Sequence, residues 1–538
     1  MPGNIRTSII CAMAGGALGL GLALPKAYGL AESTGPDGSN ARAVHALGQT
    51  GEGVNVGLIS ARNVRTTHEA FEDPCGVSHA FNYDFTGDGI EFSGHDTRMA
   101  GAVISRGGDS YPNDIGVAPG ADIHCGRIAD NSNSMTTVFL TDALDELVIG
   151  QGCRVIVTGV QLLGVTADGD SIWTKIYDYY AYEYDVVFAN ASGNYEPEVT
   201  IFGDAYNGIT TGGLRVTEPD VYLRVGSGSN PGPTVDGRRK PDIVAPSQNQ
   251  TLPSSESDTT WLTVGSSVGQ TSYSVPHTAG VAALLLGTAD ETGDTGDNQS
   301  EVIKAVIVNS AFPNINDKDN NPTNPAEPNN TWHGDRGYGR IDALRAYELL
   351  SAEKVAEGTG TTQAKGWAYD SMTGYGQHIY SIQGARNERL VLTVTWHRSI
   401  TKTGPNYNDE SSPKFNLDLT IKDPCDAVIY AETGTSDNLE KVDLLLEKDG
   451  MYEVALENTT SKSRDYGLAF ELLEPLVYDF EPIDYIVDTG DLLVIAAQWL
   501  LAGSGLEADL TGDEVVNLED FAEFALYRLD TNPAYYNE

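Results

Sequence analysis

Short apolar runs separated by polar turns dominate residues 51 to 350. VNVGLIS (54–60), CRVIVTGV (153–160) and YDVVFANA (184–191) are nearly continuous in apolar residues, as strands covered on both faces are. Between them lie stretches of helical length, among them SVPHTAGVAALLLG (274–287). Strand alternating with helix predicts an α/β fold, a mostly parallel sheet with helices on both faces. An Asn-, Asp- and Pro-rich insert at 314–335 predicts a long surface loop; a helix, IDALRAYELLSAE, closes the region and EGTGTTQAKG (357–366) reads as a linker. Beyond it the period changes to two. RLVLTVTWHR (389–398), FNLDLTIKD (415–423), VDLLLEK (442–448), MYEVALEN (451–458) and YGLAFELL (466–473), separated by turn residues, predict a β-sandwich. The remainder is short, helical and internally repeated: DLLVIAAQWL (491–500) and DFAEFALYRL (520–529) share a leading Asp and an apolar helical stripe.

Charge narrows the function classes. With 33 Lys and Arg against 76 Asp and Glu, the net charge of −43 opposes nucleic-acid binding and adsorption to an anionic membrane. It suits solubility, a salty medium or hard cations such as calcium. Part of the excess is local, because residues 471–538 hold 16 acids and the single base Arg528. At the other end, Arg6 precedes an apolar run from Ile9 to Leu24, and small residues follow near Gly29 and Ala31. This predicts a secretory signal peptide over 1–31, with a retained anchor helix as the alternative. Cys11 follows Ser8-Ile9-Ile10, a context without the small residue that lipid attachment needs. No later stretch is long and apolar enough to span a bilayer, so an exported protein without a membrane span is expected. Cys75, Cys125, Cys153 and Cys425 leave room for one or two disulfides and match no zinc spacing.

Three segments sit where strands or loops run into helices. In SGHDTRMAGAV (93–103), His95 precedes a helix of small residues; in FANASGNYEP (188–197), Asn194 follows Gly193 at a strand end; in GQTSYSVPHTAG (269–280), Ser272 opens an apolar helix. A serine hydroxyl at a helix start needs a base to become a nucleophile, and His95 is the candidate. An amide such as Asn194 can donate to a developing oxyanion. Singly, each has a plainer reading: a helix cap, a structural histidine, a turn residue.

Taken in order, residues about 40–350 resemble a subtilisin-like serine protease (subtilase) domain. GVAPGADIH (116–124), KPDIVAPS (240–247), SEVIKAVIVNSA (300–311) and GYGRIDALRA (337–346) resemble further landmarks of that family in the right order. The resemblance implies Ser272 as nucleophile, His95 as general base and Asn194 as oxyanion donor. It also implies a peptide substrate lying as an extended strand along Thr158–Leu162.

The departures concern the third triad member. Where the family has an Asp at the end of a strand, VNVGLIS ends in Ser60, followed by Ala61 and Arg62. A serine hydroxyl could hold the imidazole tautomer but not stabilise the imidazolium. Asp96 adds charge beside His95, although an adjacent side chain rarely reaches the ring; Asp84 and Asp88 are alternative carboxylates on a loop upstream. Arg98 replaces the family's second His, Gln270 the Gly before Thr-Ser, and Gly159-Val160-Gln161-Leu162 stands where Ser-Leu-Gly-Gly is usual. Two readings follow: a secreted serine endopeptidase with Ser60 in the aspartate's place, or a pseudoprotease kept as an extracellular binding or structural module.

The strands at about 365–474 resemble the jelly-roll-like domain that often follows the catalytic domain of secreted bacterial proteases, where a role in stability or substrate docking is expected. DLTGDEVVNLED (509–520) places Asp509, Thr511, Asp513, the Val515 carbonyl, Asn517 and Asp520 at positions 1, 3, 5, 7, 9 and 12 of a calcium loop. It resembles the second repeat of a dockerin-like, EF-hand-like module, with Glu514 in place of the usual Gly; in the first repeat only Asp484, Asp488 and Asp491 fall naturally. An acidic helix cap without metal is the plainer reading. The expected organisation is signal peptide 1–31, peptidase domain 32–356, β-sandwich 357–474 and calcium module 475–538. A cohesin-like or cell-surface partner would follow from the last.

Overall fold

The computed structural model describes residues 29–217, 221–265, 270–323, 331–474, 489–503, 506 and 508–522. Residues 1–28, and Asp484 and Asp488 of the first acidic repeat, lie outside the described residues.

The apolar runs form the centre of an eight-stranded sheet. Its parallel strands are β1 (Asn55–Ser60), β2 (Ala80–Asp84), β3 (Asp122–Arg127), β4 (Val155–Thr158), β5 (Val187–Ala191), β6 (Ile209–Arg215) and β7 (Ile243–Pro246). They lie in the order β7-β6-β5-β4-β1-β3-β2, and the short strand Arg224–Val225 adds an antiparallel edge to β6. Register is continuous: Ser60 faces Arg127 across the β1–β3 pair and Ile59 faces Thr158 across β1–β4. The chain reverses its direction of travel at β1, with β3 on one side and β4 on the other. Sheets of this kind bind ligands beyond the carboxyl ends of the strands at such a reversal. This is the mostly parallel α/β architecture expected from the strand and helix alternation.

Two helices stand at the candidate residues His95 and Ser272. Helix α1 (Gly94–Ile104) is built of small residues because it lies tight against strand Gln250–Pro253; a Cβ on Gly101 would fall 2.3 Å from the Pro253 ring. Helix α2 (Val275–Thr292) is buried from Val275 to Ala289 in the largest apolar cluster. Each fully buried Leu or Val there contributes about 1.5–3 kcal/mol. Among the described residues no helix is long and apolar enough to cross a membrane.

After the linker come a four-stranded sheet of Lys365–Met372, Arg464–Leu473, Arg389–Trp396 and Leu439–Leu445, and a five-stranded sheet that includes Gln377–Gly384, Gly450–Glu457 and Asp418–Lys422. Their inner faces meet in one apolar cluster containing Leu392, Leu468, Ile421 and Val454. Helix α3 (Ser300–Asn309) lies between this β-rich region and the parallel sheet, and every one of its residues is buried. Thr393 donates to the Asn309 side chain (2.9 Å) and Lys441 Nζ to the Val308 carbonyl (2.8 Å). Arg239, beside β7, binds Asp437 and Glu440. Cys75, Cys125, Cys153 and Cys425 are all free thiols, so the bridges that the sequence left open are not formed among them.

Candidate active site

Ser60 ends β1, Gly159 follows β4, and Asn194 follows β5, all at the carboxyl edge of the sheet. The loop after β2 delivers α1 to the same edge. Ser93 caps that helix, its Oγ accepting the Asp96 N–H at 3.1 Å, and this cap fixes the first turn that holds His95. The imidazole is partly exposed (38% for the side chain) whereas the Asp96 carboxylate is 1% exposed.

Asp96 reaches the ring. Its Oδ1 lies 3.2 Å from His95 Nδ1, and its Oδ2 accepts the backbone N–H of Arg62 at 3.0 Å. That amide is two residues beyond Ser60, so the carboxylate occupies the space beside the end of β1. Arg62 is itself fixed by Glu91, by the carbonyls of Ala61 and Ala129, and by Asn133. The expectation that an adjacent side chain misses the ring is corrected by this arrangement. Both carboxylate oxygens are engaged, one by a rigid amide, which leaves the other aimed at the imidazole. Ser60, expected in the aspartate's place, is fully buried and its Oγ has no hydrogen-bond partner among the described residues. The upstream carboxylates are spent elsewhere. Asp84 accepts from Thr86 and Gly89 within its own loop, and Asp88 accepts the Asn131 N–H.

Ser272 stands in the tight turn Thr271–Tyr273 that leads into α2, where Pro276 occupies the first turn. Its hydroxyl donates to the Gly159 carbonyl at 3.1 Å, not to the imidazole. The close approach needs a glycine, because a Cβ at 159 would sit 2.4 Å from Met99 Sδ and 3.3 Å from Ser272 Cβ. Asn194 is locked to the same turn: its Oδ1 accepts the Thr271 N–H at 2.9 Å and lies 3.2 Å from the Thr271 hydroxyl. With the amide oxygen committed, the two N–H bonds of the Asn194 amide are what remains for a ligand. Gln161 ties to the Asn194 backbone on both its N–H (3.3 Å) and its carbonyl (3.4 Å). Gly193, at φ +103°, makes the turn, and a Cβ there would meet Thr200 Oγ1 and Asn230 Nδ2.

Tyr273 joins the two helices. Its ring lies 5.8 Å from that of His95, and its hydroxyl accepts Arg98 Nε at 3.1 Å. Arg98, where the family resemblance put a second His, thus ties the His95 helix to the Ser272 turn. His277 is the other imidazole nearby; it is fully buried with Nδ1 3.0 Å from Ser39 Oγ, and burial pushes it down to about 3, so it is neutral. His95 and Asn194 each meet the turn that holds Ser272, the first at Tyr273 and the second at Thr271. Asp96 and the Arg98–Tyr273 tie are additions that their positions on α1 alone did not disclose.

At the far end of the chain, carboxylate oxygens of Asp509, Asp513 and Asp520 come within 4.8 Å of one another. Glu514 adopts φ +64°, the left-handed conformation a calcium loop requires at its sixth position. Asp520 is held by the N–H groups of Thr511 and Asn517, and Asp509 by those of Asp513 and Glu514. The oxygen donor set fits a hard cation, with Thr511, the Val515 carbonyl and Asn517 on the same loop.

Comparison with known proteins bears on the first of these sites. A family model described as Peptidase_S8, the subtilase family, matches residues 51–345. Pyrolysin of Pyrococcus furiosus is 28% identical over 317 residues, which are 52% of this chain and 21% of pyrolysin. Serine protease AprX of Bacillus subtilis is 28% identical over 297 residues, 50% of this chain and 65% of AprX. The chain therefore spans about a fifth of one curated relative and under two thirds of the other. Among solved structures, the prenylagaramide maturation protease PagA matches at 20% identity with a TM-score of 0.45, over 58% of this chain and 98% of that one. The patellamide maturation protease PatA matches at 19% identity and a TM-score of 0.42, over 56% of this chain and 97% of PatA.

Proposed function

The chain belongs to the subtilase family of serine peptidases, and from that premise we propose that it is a secreted endopeptidase whose triad is Ser272, His95 and Asp96. The observation that carries this reading is the His95 Nδ1–Asp96 Oδ1 contact of 3.2 Å, with Asp96 buried and Ser60 Oγ without a partner among the described residues. A buried carboxylate holds the proton on Nδ1, leaves Nε2 free to accept, and stabilises the imidazolium once it forms. In the reaction Ser272 Oγ attacks a peptide carbonyl while His95 Nε2 takes its proton. The Asn194 amide and the Ser272 backbone N–H hold the oxyanion. His95 then returns the proton to the leaving amine, and water repeats the sequence to release the acyl group. The substrate is a protein or peptide laid as a strand along Thr158–Leu162, where Gln161 braces the Asn194 backbone.

A second reading, a catalytically impaired module that binds without cleaving, is favoured by one observation: the Ser272 hydroxyl donates to Gly159 rather than to His95. A fluorophosphonate probe separates the two. Labelling of Ser272 faster than in denatured protein supports the enzyme, and equal rates sink it.

We assign the apolar N-terminal segment to export, the residues from its processing site to 356 to the peptidase, 357–474 to a β-sandwich that supports it, and 475–538 to a dockerin-like module. In that module Asp509, Thr511, Asp513, Val515, Asn517 and Asp520 would hold calcium, whose charge would neutralise the acidic loop. Such a module would tether the enzyme to a cell surface or a cohesin-like partner.

A further inference from the structure

Two overlapping triplets with small residues at both ends follow the apolar leader: Ala27-Tyr28-Gly29 and Gly29-Leu30-Ala31. Either is a site at which an export peptidase cuts, after Gly29 or after Ala31. The fold distinguishes them. Leu30 is fully buried, packed with Ala102 of α1, Leu252 and Tyr273. Its carbonyl accepts from Thr34 N (2.9 Å), Thr34 Oγ1 (2.6 Å) and Ser33 Oγ (3.2 Å). A cut after Ala31 would remove all of this and leave a cavity beside the residue that follows Ser272.

The Leu30 nitrogen has an unusual partner. It lies 2.6 Å from Asp114 Oδ1, a buried carboxylate whose own backbone carbonyl accepts the Ser105 hydroxyl at the end of α1. Glu32 Oε2 is close by, accepting the Gly29 N–H at 2.7 Å. Burial pushes the Asp114 carboxyl up to about 6, with Glu32 adding to the rise and Arg42 opposing it. A neutral amide is poor compensation for a carboxylate so placed. A cleft of about 270 Å³ lined by Tyr111, Pro112 and Asn113 opens beside Gly29.

We propose that the Gly29–Leu30 bond is the processing site, and that the α-ammonium it releases on Leu30 binds Asp114 as a buried ion pair. The proposal rests on the export reading above. The step is a hydrolysis by the host's export peptidase. The C–N bond breaks, water supplies the second oxygen of the Gly29 carboxylate, and the Leu30 nitrogen leaves as an amine that takes up a proton. Glu32, relieved of the Gly29 N–H, stands as a second anion for the same cation. The new terminus then pins α1, which carries His95, to the turn that carries Ser272, through contacts of the Leu30 side chain with Ala102 and Tyr273. Asp114 is thus a positioning residue, acting through the terminus and not on the substrate.

The test uses the full chain, expressed with residues 1–28 in a secreting bacterial host. N-terminal sequencing of protein from the medium is expected to read Leu-Ala-Glu-Ser. A start at Glu32 or later overturns the processing site while export stands; a retained Met1 on cell-bound protein overturns the export reading itself. The second measurement is acylation of the Leu30 α-amine by an amine-reactive ester at pH 7, followed by mass spectrometry. An ion pair that raises the amine by one pKa unit slows labelling about tenfold relative to the urea-unfolded chain. Asp114→Asn is expected to abolish that protection. Equal native and unfolded rates overturn the ion pair, and this comparison holds even if the variant does not fold.

Discussion

Replacing Asp96 with Asn tests the centre of the catalytic reading with almost no change of shape. The Arg62 N–H demands an acceptor at one position of the side chain, so the Asn oxygen turns to it and the NH2 turns to His95 Nδ1. The ring must then carry its proton on Nε2, where it can no longer accept from Ser272. The negative charge is lost as well. For charges about 4 Å apart at an effective dielectric near 20, the imidazolium loses about 4 kcal/mol of stabilisation, or roughly 10³-fold in rate. With the tautomer penalty the expected loss in kcat is about 10³- to 10⁴-fold, while KM stays within about threefold. The assay is hydrolysis of a fluorogenic peptide over a pH range, with the fluorophosphonate labelling rate of Ser272 as a substrate-independent check. Ser60→Ala is the paired control. Its hydroxyl has no partner among the described residues, so activity within about twofold of the parent is expected. The reasoning is refuted if Asp96→Asn retains a third of the activity, or if Ser60→Ala loses a hundredfold.

Asn194→Ala removes the oxyanion donor and is expected to cost about 10²- to 10³-fold in kcat with little change in KM; unchanged steady-state kinetics would count against that role. His277 is held neutral by burial, down to about 3 from 6.5, so the folded chain binds fewer protons than the unfolded one between those values. Stability present above pH 6.5 is lost as pH falls towards 3, by about 4–5 kcal/mol for this residue. Urea titrations across that window should show the loss, and in His277→Gln the acid limb should be flatter by that amount. A double variant, Asp509→Asn with Asp520→Asn, is expected to lose one calcium ion measured by calorimetry on the intact chain, and to melt at the temperature of the calcium-free parent. Equal calcium binding by parent and variant would remove the loop from consideration.

How far the sequence reveals the site depends on the range of the interaction that builds it. That Ser272, His95 and Asn194 stand at local junctions is legible, because junctions leave marks in composition: small residues in α1, glycine before Asn194, proline after Ser272. The parallel sheet is legible for the same reason, through apolar runs that only a doubly covered strand tolerates. Asp96 is different. Neighbouring helical residues point about 100° apart, and only the Ser93 cap together with the Arg62 amide, 34 positions away in sequence, brings this carboxylate back to the ring. Spacing carries no trace of such a contact. Likewise the bonds of Thr393 with Asn309 and of Lys441 with Val308 span 84 and 133 positions. A turn-rich linker at 357–366 gives no sign that the regions on either side share a helix.

That helix bears on what a cut in the linker would do. Because α3 is covered on every side, with Lys304 Nζ given to the Tyr206 carbonyl on one face and Thr395 Oγ1 donating to the Glu301 carbonyl on the other, the two regions cannot part without stripping it. A single nick between residues 357 and 366 would leave both fragments associated. The linker joins the halves in sequence, but the molecule would come apart only by unfolding.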